Sequence, residues 1–264
     1  MPSRLVDVGT NGLSPRIVET KSSPFTDCAL SYCWGGDQPY KLTKSNLSEH
    51  KLQVHIPPEA KTIHDALVTT WNLGLRYIWI DALCIIQDDD ADMERELARM
   101  PGIYKGAHVT VVAGSAQAYT EGFLERRTKE ARFTYFHFPY RCTGGELGSV
   151  YWGDDYDPYD SYEPLHDRAW ALQESTLSPR LLEFSRKCMS WSCFRLLKTD
   201  GGRYGHLRGG ISDLRRTPWP PKNMEIALKH WRDIVQHQTG RSLTAPHDKL
   251  AAIAGIAEGL SRSM

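Results

Sequence analysis

The chain has no excess of charge of either sign: 32 lysines and arginines stand against 32 aspartates and glutamates in 264 residues. That balance removes the basic footprint expected of a protein that tracks nucleic acid. The locally basic stretch 186–216 and the locally acidic stretch 154–163 read as solvated faces. No run approaches the ~18 apolar residues of a membrane span, and MPSRLVDVGTNGLSPRIVE at the start lacks the apolar centre of a secretory signal. The expectation is a cytoplasmic protein with no membrane span. Without a secretory signal the six cysteines are expected as reduced thiols, and Cys-x-x-Cys is missing as a source of metal ligands. Cys28/Cys33 and Cys188/Cys193 stand five positions apart, which on a strand puts the two thiols on opposite faces. No metal site is expected.

Several catalytic signatures are absent as well. There is no G-x-x-x-x-G-K-[ST] phosphate loop, no G-x-S-x-G nucleophile elbow and no H-E-x-x-H helix. Gly35 and Gly36 follow the first apolar strand as an adjacent pair, without the G-x-G-x-x-G turn of a dinucleotide-dependent oxidoreductase. Cys84, with His64 as a base, makes a poor nucleophile because it lies in an apolar run that reads as strand.

What is present alternates strand with helix. DCALSYCW (27–34) reads as a strand stopped by the glycine pair. TIHDALVTTWNLG reads as a helix with Ile63, Ala66, Leu67 and Trp71 on its inner face and Gly74 past its end. RYIWIDALCII is apolar enough for a strand buried on both faces. Asp88 to Asp90 then open a helix carrying Met93, Leu97 and Met100, which Pro101 ends or kinks. HVTVVAGSA (108–116) is the third strand. Such β-α-β-α-β alternation predicts an α/β fold: a Rossmann- or flavodoxin-like, mostly parallel sheet flanked by helices. Residues 119–160 have no clean period and read as irregular and short β insertions. HDRAWALQESTLSP predicts a helix capped by Asp167 and closed by Pro179, and RLLEFSRKCMSWSCF predicts two short strands. The glycine-rich run TDGGRYGHLRGG (199–210) and PWPPK read as loop or linker. The remainder reads as helix, with Trp231, Ile234 and Val235 on one face and Leu250, Ile253, Ala254 and Ala257 on another. The expected organisation is an extension (1–25), a main domain (26–200), and a linker with a helical extension (201–264) that fits a piece of a longer protein.

Four ordered blocks, ALSYCWGG, TIHDALVTTWNLGLRYIWIDALCIIQDD, ARMPGIYKGAHVTVVAGSA and RAWALQESTLSPRLLEF, together resemble the fungal heterokaryon-incompatibility (HET) domain over roughly residues 26 to 195. His64 departs from the family's usual arginine, and Cys33 from a small β-branched residue. The resemblance implies a death-inducing module of non-self recognition that works with sensor or partner domains. A helix bearing Trp170 and Glu174 after the third strand is also similar, more distantly, to TIR-type domains. That resemblance implies cleavage of the nicotinamide–ribose bond of NAD by the glutamate, and self-association on activation.

An open parallel sheet binds ligands beyond the carboxyl ends of its strands. Trp34, Gly35, Gly36, Asp81 and Ser115 are therefore expected on one rim, joined by Arg168, Trp170 and Glu174. Trp170 and Glu174 are four apart and share a helix face. Glu174 is the candidate catalytic carboxylate for an oxocarbenium-like state. Trp170 and Trp34 would stack on the cationic ring, Arg168 and the glycine pair would approach phosphate, and Asp81 would orient the ribose. NAD enters as substrate, with no further cofactor. A non-enzymatic adaptor that signals by self-association is the alternative that the residues leave open.

Overall fold

A computed structural model describes residues 1–9, 14–20, 25–125, 135–153, 163–186, 188–200, 221, 223–243 and 246–261. Eight strands form one sheet in the order β10-β9-β8-β5-β3-β4-β1-β2. Its heart is four parallel strands: β3 (Asp27–Ser31), β4 (Tyr77–Trp79), β5 (Val109–Val112) and β8 (Arg180–Phe184). In chain order these are first, second, third and fourth, so the spatial order is 2-1-3-4, that of a flavodoxin-like sheet. Antiparallel strands extend both sides: β1 (Arg4–Asp7) and β2 (Arg16–Glu19) beside β4, and β9 (Met189–Cys193) and β10 (Leu197–Thr199) beside β8. The mixed α/β class expected from the alternation is the fold observed.

Local details differ from the expectation. The segment read as an extension supplies β1 and β2, two strands whose four-residue lengths are too short to announce themselves. The apolar run after Arg76 is strand only to Trp79. Asp81 then begins a one-turn helix, α3 (Asp81–Cys84), after the four-residue helix α1 (Leu47–His50) and α2 (Lys61–Asn72). Cys84 is thus helical, and burial pushes its thiol up to about 12, far from a nucleophile. On α2, Ile63, Ala66 and Leu67 are buried as expected, but Trp71 is exposed, because the buried face passes through Thr69 and Thr70 in the last turn. Pro101 neither ends α4 (Asp90–Gly106) nor stops its hydrogen-bonded run; the helix continues past it to Gly106.

The inner face of α4 also holds a surprise. Asp92 and Glu96 are buried together with Met100 and Ile103, one set at helical spacing, while Met93 and Leu97 are only half-buried. The N-terminal strand explains the two carboxylates. Arg4 pairs with Asp92 and donates to the Cys84 carbonyl at 2.8 Å, and the Ser3 amide donates to Glu96 at 3.1 Å. Buried charge is tolerated where it is paired and hydrogen-bonded in this way.

Between β5 and the next helix, β6 (Tyr135–Arg141) and β7 (Leu147–Gly153) form a separate antiparallel hairpin. A 3₁₀ turn (Pro164–Asp167) leads into α5 (Ala169–Leu177). Asp167 lies inside that turn, so the cap position passes to Arg168, whose side chain makes no capping bond. Two helices end the chain, α6 (Met224–Thr239) and α7 (Ala251–Ser261). The buried face of α7 is Ala252, Gly255, Ile256 and Leu260, whereas Leu250 and Ala254 are exposed, so the expected face is rotated. Of the expected α6 face, Ile234 is buried and Val235 exposed. Leu172 and Leu177 of α5 meet Ala227, Ile234, Ile256 and Leu260 in a second core, so α5 is packed on both sides. The glycine-rich run beyond Asp200 and all of PWPPK but Pro221 fall outside the described residues, as do 126–134 and 154–160, while Thr199 at the start of that run ends β10.

Candidate functional site

The first and third parallel strands, β3 and β5, are neighbours whose chain connections leave in opposite directions, so their carboxyl ends mark the topological switch point at which open α/β sheets bind ligands. Ser31 ends β3, and the chain continues through Tyr32 and Cys33 to Trp34. Gly35 (φ +74°) and Gly36 (φ +117°) then turn it. A Cβ on Gly35 would lie 2.2 Å from the Cβ of Ala118 and 2.7 Å from its Cα. Gly35 is therefore demanded by the close approach of the loop after β5. A Cβ on Gly36 would meet nothing within 4 Å, so of the pair it is Gly36 that borders open space.

Trp34, Asp81, Arg168 and Glu174 are brought together at this edge. The Trp34 indole N–H donates to both carboxylate oxygens of Asp81 at 3.1 Å, and the Ala82 amide donates to Asp81 Oδ1 at 2.7 Å. The guanidinium of Arg168 lies between two acids, 3.4 Å from Asp81 Oδ2 and 3.9 Å from Glu174 Oε1. It also donates to the Tyr32 carbonyl. Burial works against the Arg168 charge, but Glu174 and Asp81 outweigh it and hold its pKa above the ordinary arginine value.

Glu174 is 1% exposed, so it is a buried side chain rather than a surface helix residue. Its Oε2 accepts the hydroxyl of Ser31, while among the described residues Oε1 has no hydrogen-bond partner. Burial raises its pKa; Arg168, Ser31 and Tyr104 pull it down, Asp81 adds to the rise, and the net shift is upward. Tyr104 reaches the site from α4, with its own hydroxyl donated to the Leu30 carbonyl at 2.9 Å. Asp81 is occupied by three donors and acts as an anchor. Glu174 keeps one lone-pair-bearing oxygen unclaimed in a low-dielectric setting, where its field on a nearby cation is strongest.

The remaining expected residues stand apart from this cluster or have other duties. Trp170 is half-buried against the main core. Ser115 follows β5 on the same rim, half-buried, with its amide donated to the Phe184 carbonyl of β8 at 3.1 Å. Ser31, Tyr104 and Arg241, whose guanidinium donates to the Arg168 carbonyl at 3.1 Å, lie outside the residues that the sequence singles out. A buried hydroxyl at the end of the otherwise apolar ALSYCW run was the available signal for Ser31. Tyr104 is four beyond Met100 on the inner face of α4, a spacing that reads as core. For Arg241 the sequence offers no sign.

A family model described as heterokaryon incompatibility protein (HET) matches residues 28–174, more than half of the chain, from the second residue of β3 to Glu174 itself. No curated protein and no solved structure matches the chain.

Proposed function

The chain belongs to the heterokaryon incompatibility family, and on that premise we propose that it is a cell-death effector that cleaves the bond between nicotinamide and ribose in NAD. The observation that carries this reading is the state of Glu174: a buried carboxylate with one oxygen unclaimed, beside Arg168 and at the carboxyl edge of β3. When the ribose–nitrogen bond breaks, its electron pair leaves with nicotinamide and positive charge develops on the ribose. A fixed carboxylate stabilises that charge. Water then bonds to the ribose carbon and releases a proton to solvent. Arg168 faces the phosphates, the Trp34 ring offers its face to the cationic base, and Gly36 leaves room for the chain of the substrate. Activity is expected to need self-association, with sensor or partner domains supplying the trigger, and the protein to work in the cytoplasm. No described helix is long and apolar enough to cross a membrane.

The test is release of nicotinamide from NAD by purified protein over a dilution series, with Glu174→Gln beside it. Gln keeps an acceptor for Ser31 and removes the charge, so a loss of about 10²–10³ in rate is expected, and specific activity should rise with concentration. A folded Glu174→Gln protein that cleaves NAD at the parental rate overturns the reading. One observation favours a second reading, the adaptor: the charge of Glu174 is already countered by Arg168, so the cluster is complete as an internal clamp. Silence toward NAD at every concentration, with killing intact in cells, would select it.

A further inference from the structure

Arg168 is the only described cation within 4 Å of Asp81 and Glu174. Its amide donates to the Leu165 carbonyl at 3.1 Å and its carbonyl accepts from the Ala171 amide at 3.2 Å, and its backbone is held from a distant segment as well. After α6 ends, the Ser242 amide donates to the Asp167 carbonyl at 2.6 Å and the Ser242 carbonyl accepts from the Ala169 amide at 2.9 Å. These two bonds straddle residue 168 as a single parallel bridge. The Arg241 guanidinium donates to the carbonyl of Arg168 itself at 3.1 Å. A second grip lies one turn on: the Gly255 amide of α7 donates to the side chain of buried Gln173 at 2.9 Å, at a contact with Pro101 so close that only glycine fits. All these gripping residues lie beyond residue 174, outside the stretch that matches the family.

We propose that Arg241 and Ser242 are positioning residues of the candidate site, holding the backbone on both sides of Arg168 so that its guanidinium lies between Asp81 and Glu174. The segment after α6 is then part of the site's frame. The functional weight of this arrangement rests on Glu174 acting on NAD; its geometry does not. Burial lowers the Arg241 pKa to about 10, and Asp167 and Glu174 oppose that fall. One N–H of the Arg241 guanidinium is spent on the backbone of Arg168.

The readout is the titration midpoint of the Glu174 carboxyl, followed by carbon NMR in the full chain. The groups that face this carboxyl are Arg168, Asp81 of α3, Tyr104 of α4, Ser31 and Cys33 at the end of β3, and Arg241. Arg168→Gln should raise the midpoint by about one pH unit or more, since an adjacent cation lowers a carboxyl by about 1–3. Arg241→Leu should produce a sizeable part of that rise, and little further rise when added to Arg168→Gln. Ser242→Pro changes no charge and removes the amide given to Asp167; it should shift the midpoint in the same direction. An Arg241→Leu shift that persists in full in the Arg168→Gln background means direct charge action and overturns the proposal, as does a folded Ser242→Pro protein with the parental midpoint. Where those variants do not fold, amide exchange in the parent decides: Ser242 and Ala169 should be protected together, and a Ser242 amide exchanging like open chain refutes the grip. Absence of nicotinamide release would defeat the NAD reading and leave this cycle as informative as before.

Discussion

Arg168→Gln is the perturbation that most directly weighs the site's electrostatics. The side chain of Arg168 is 26% exposed and those of Asp81 and Glu174 are 12% and 1% exposed, so the charges interact through a poorly screened interior. Two unit charges about 4 Å apart at an effective dielectric of ~20 attract by ~4 kcal/mol, and removing one partner of a buried pair typically costs about 3–5 kcal/mol. The lost donor to the Tyr32 carbonyl lies within that figure, at about 1–3 kcal/mol. Glu174 has an escape, however: it can take up a proton. Its folded pKa is already raised, and losing Arg168 raises it further. A group with a raised folded pKa contributes stability that is present below its unfolded pKa and lost as pH rises through the folded one. The deficit of the variant should therefore grow with pH. Urea unfolding of parent and variant should show a loss of about 3–5 kcal/mol near pH 8, shrinking to about 1–3 kcal/mol near pH 4.5, where proton uptake by Glu174 relieves its lost pairing and the missing donors to the Tyr32 carbonyl and to Asp81 remain. A loss equal at both pH values, or one below about 1 kcal/mol at pH 8, would refute the coupling between Arg168 and Glu174.

Three other perturbations test the frame. Asp27 is buried at the start of β3, and burial pushes its carboxyl up to about 6; with the sign as above, it costs stability as pH rises through 6, so Asp27→Asn should stabilise the fold by up to ~3 kcal/mol at pH 8 and by almost nothing at pH 4, measured by urea unfolding. Gly255→Ala should destabilise: alanine gains about 1 kcal/mol of helix propensity, but its Cβ would stand 2.3 Å from the Pro101 ring, and overpacking against a rigid ring costs about 1–3 kcal/mol; a raised melting temperature would contradict the close contact. Arg4→Met removes the buried cation beside Asp92, which keeps Arg95 and the Ile86 amide, and the donor to the Cys84 carbonyl, for an expected loss of about 1–3 kcal/mol in urea unfolding; a neutral effect would contradict the buried pairing.

The parallel heart of the fold was legible because its strands are continuous apolar runs and its helices have buried faces at 3.6 spacing, as at Ile63, Ala66 and Leu67. Failures arose where tertiary partners decide. RYIWIDALCII is equally apolar as strand or as buried helix, and the turn at Ile80 that splits it into β4 and α3 is fixed by neighbours such as Arg4 on the Cys84 carbonyl. Asp92 and Glu96 receive no place from the sequence alone, and their burial follows from Ser3 and Arg4, which the N-terminal segment brings over them. The site was legible in the same proportion. Rim position follows from strand order, so Trp34 and Asp81 were placeable, and Trp170 and Glu174 follow from helical spacing. What sequence does not carry is depth: nothing in RAWALQEST says that Glu174 is 1% exposed or that a serine 143 positions away donates to it.

Depth changes what any substitution at the site can mean. Glu174 is held by Ser31 from β3 and by Arg168 from the entry to α5, with Tyr104 of α4 beside it, so separate parts of the sheet-and-helix frame converge on one carboxylate. An enzyme and a clamp would both suffer when that frame loosens, and loss of killing in Glu174→Gln alone does not separate them. Charge separates them. A clamp needs Glu174 and Arg168 to neutralise each other, so removing both charges together in Arg168→Gln/Glu174→Gln should recover much of the stability that Arg168→Gln alone loses. A catalyst needs the negative charge itself, so the same double variant should fold better than Arg168→Gln and still release no nicotinamide. Killing restored along with stability would assign the cluster to architecture; stability restored without activity would assign it to chemistry.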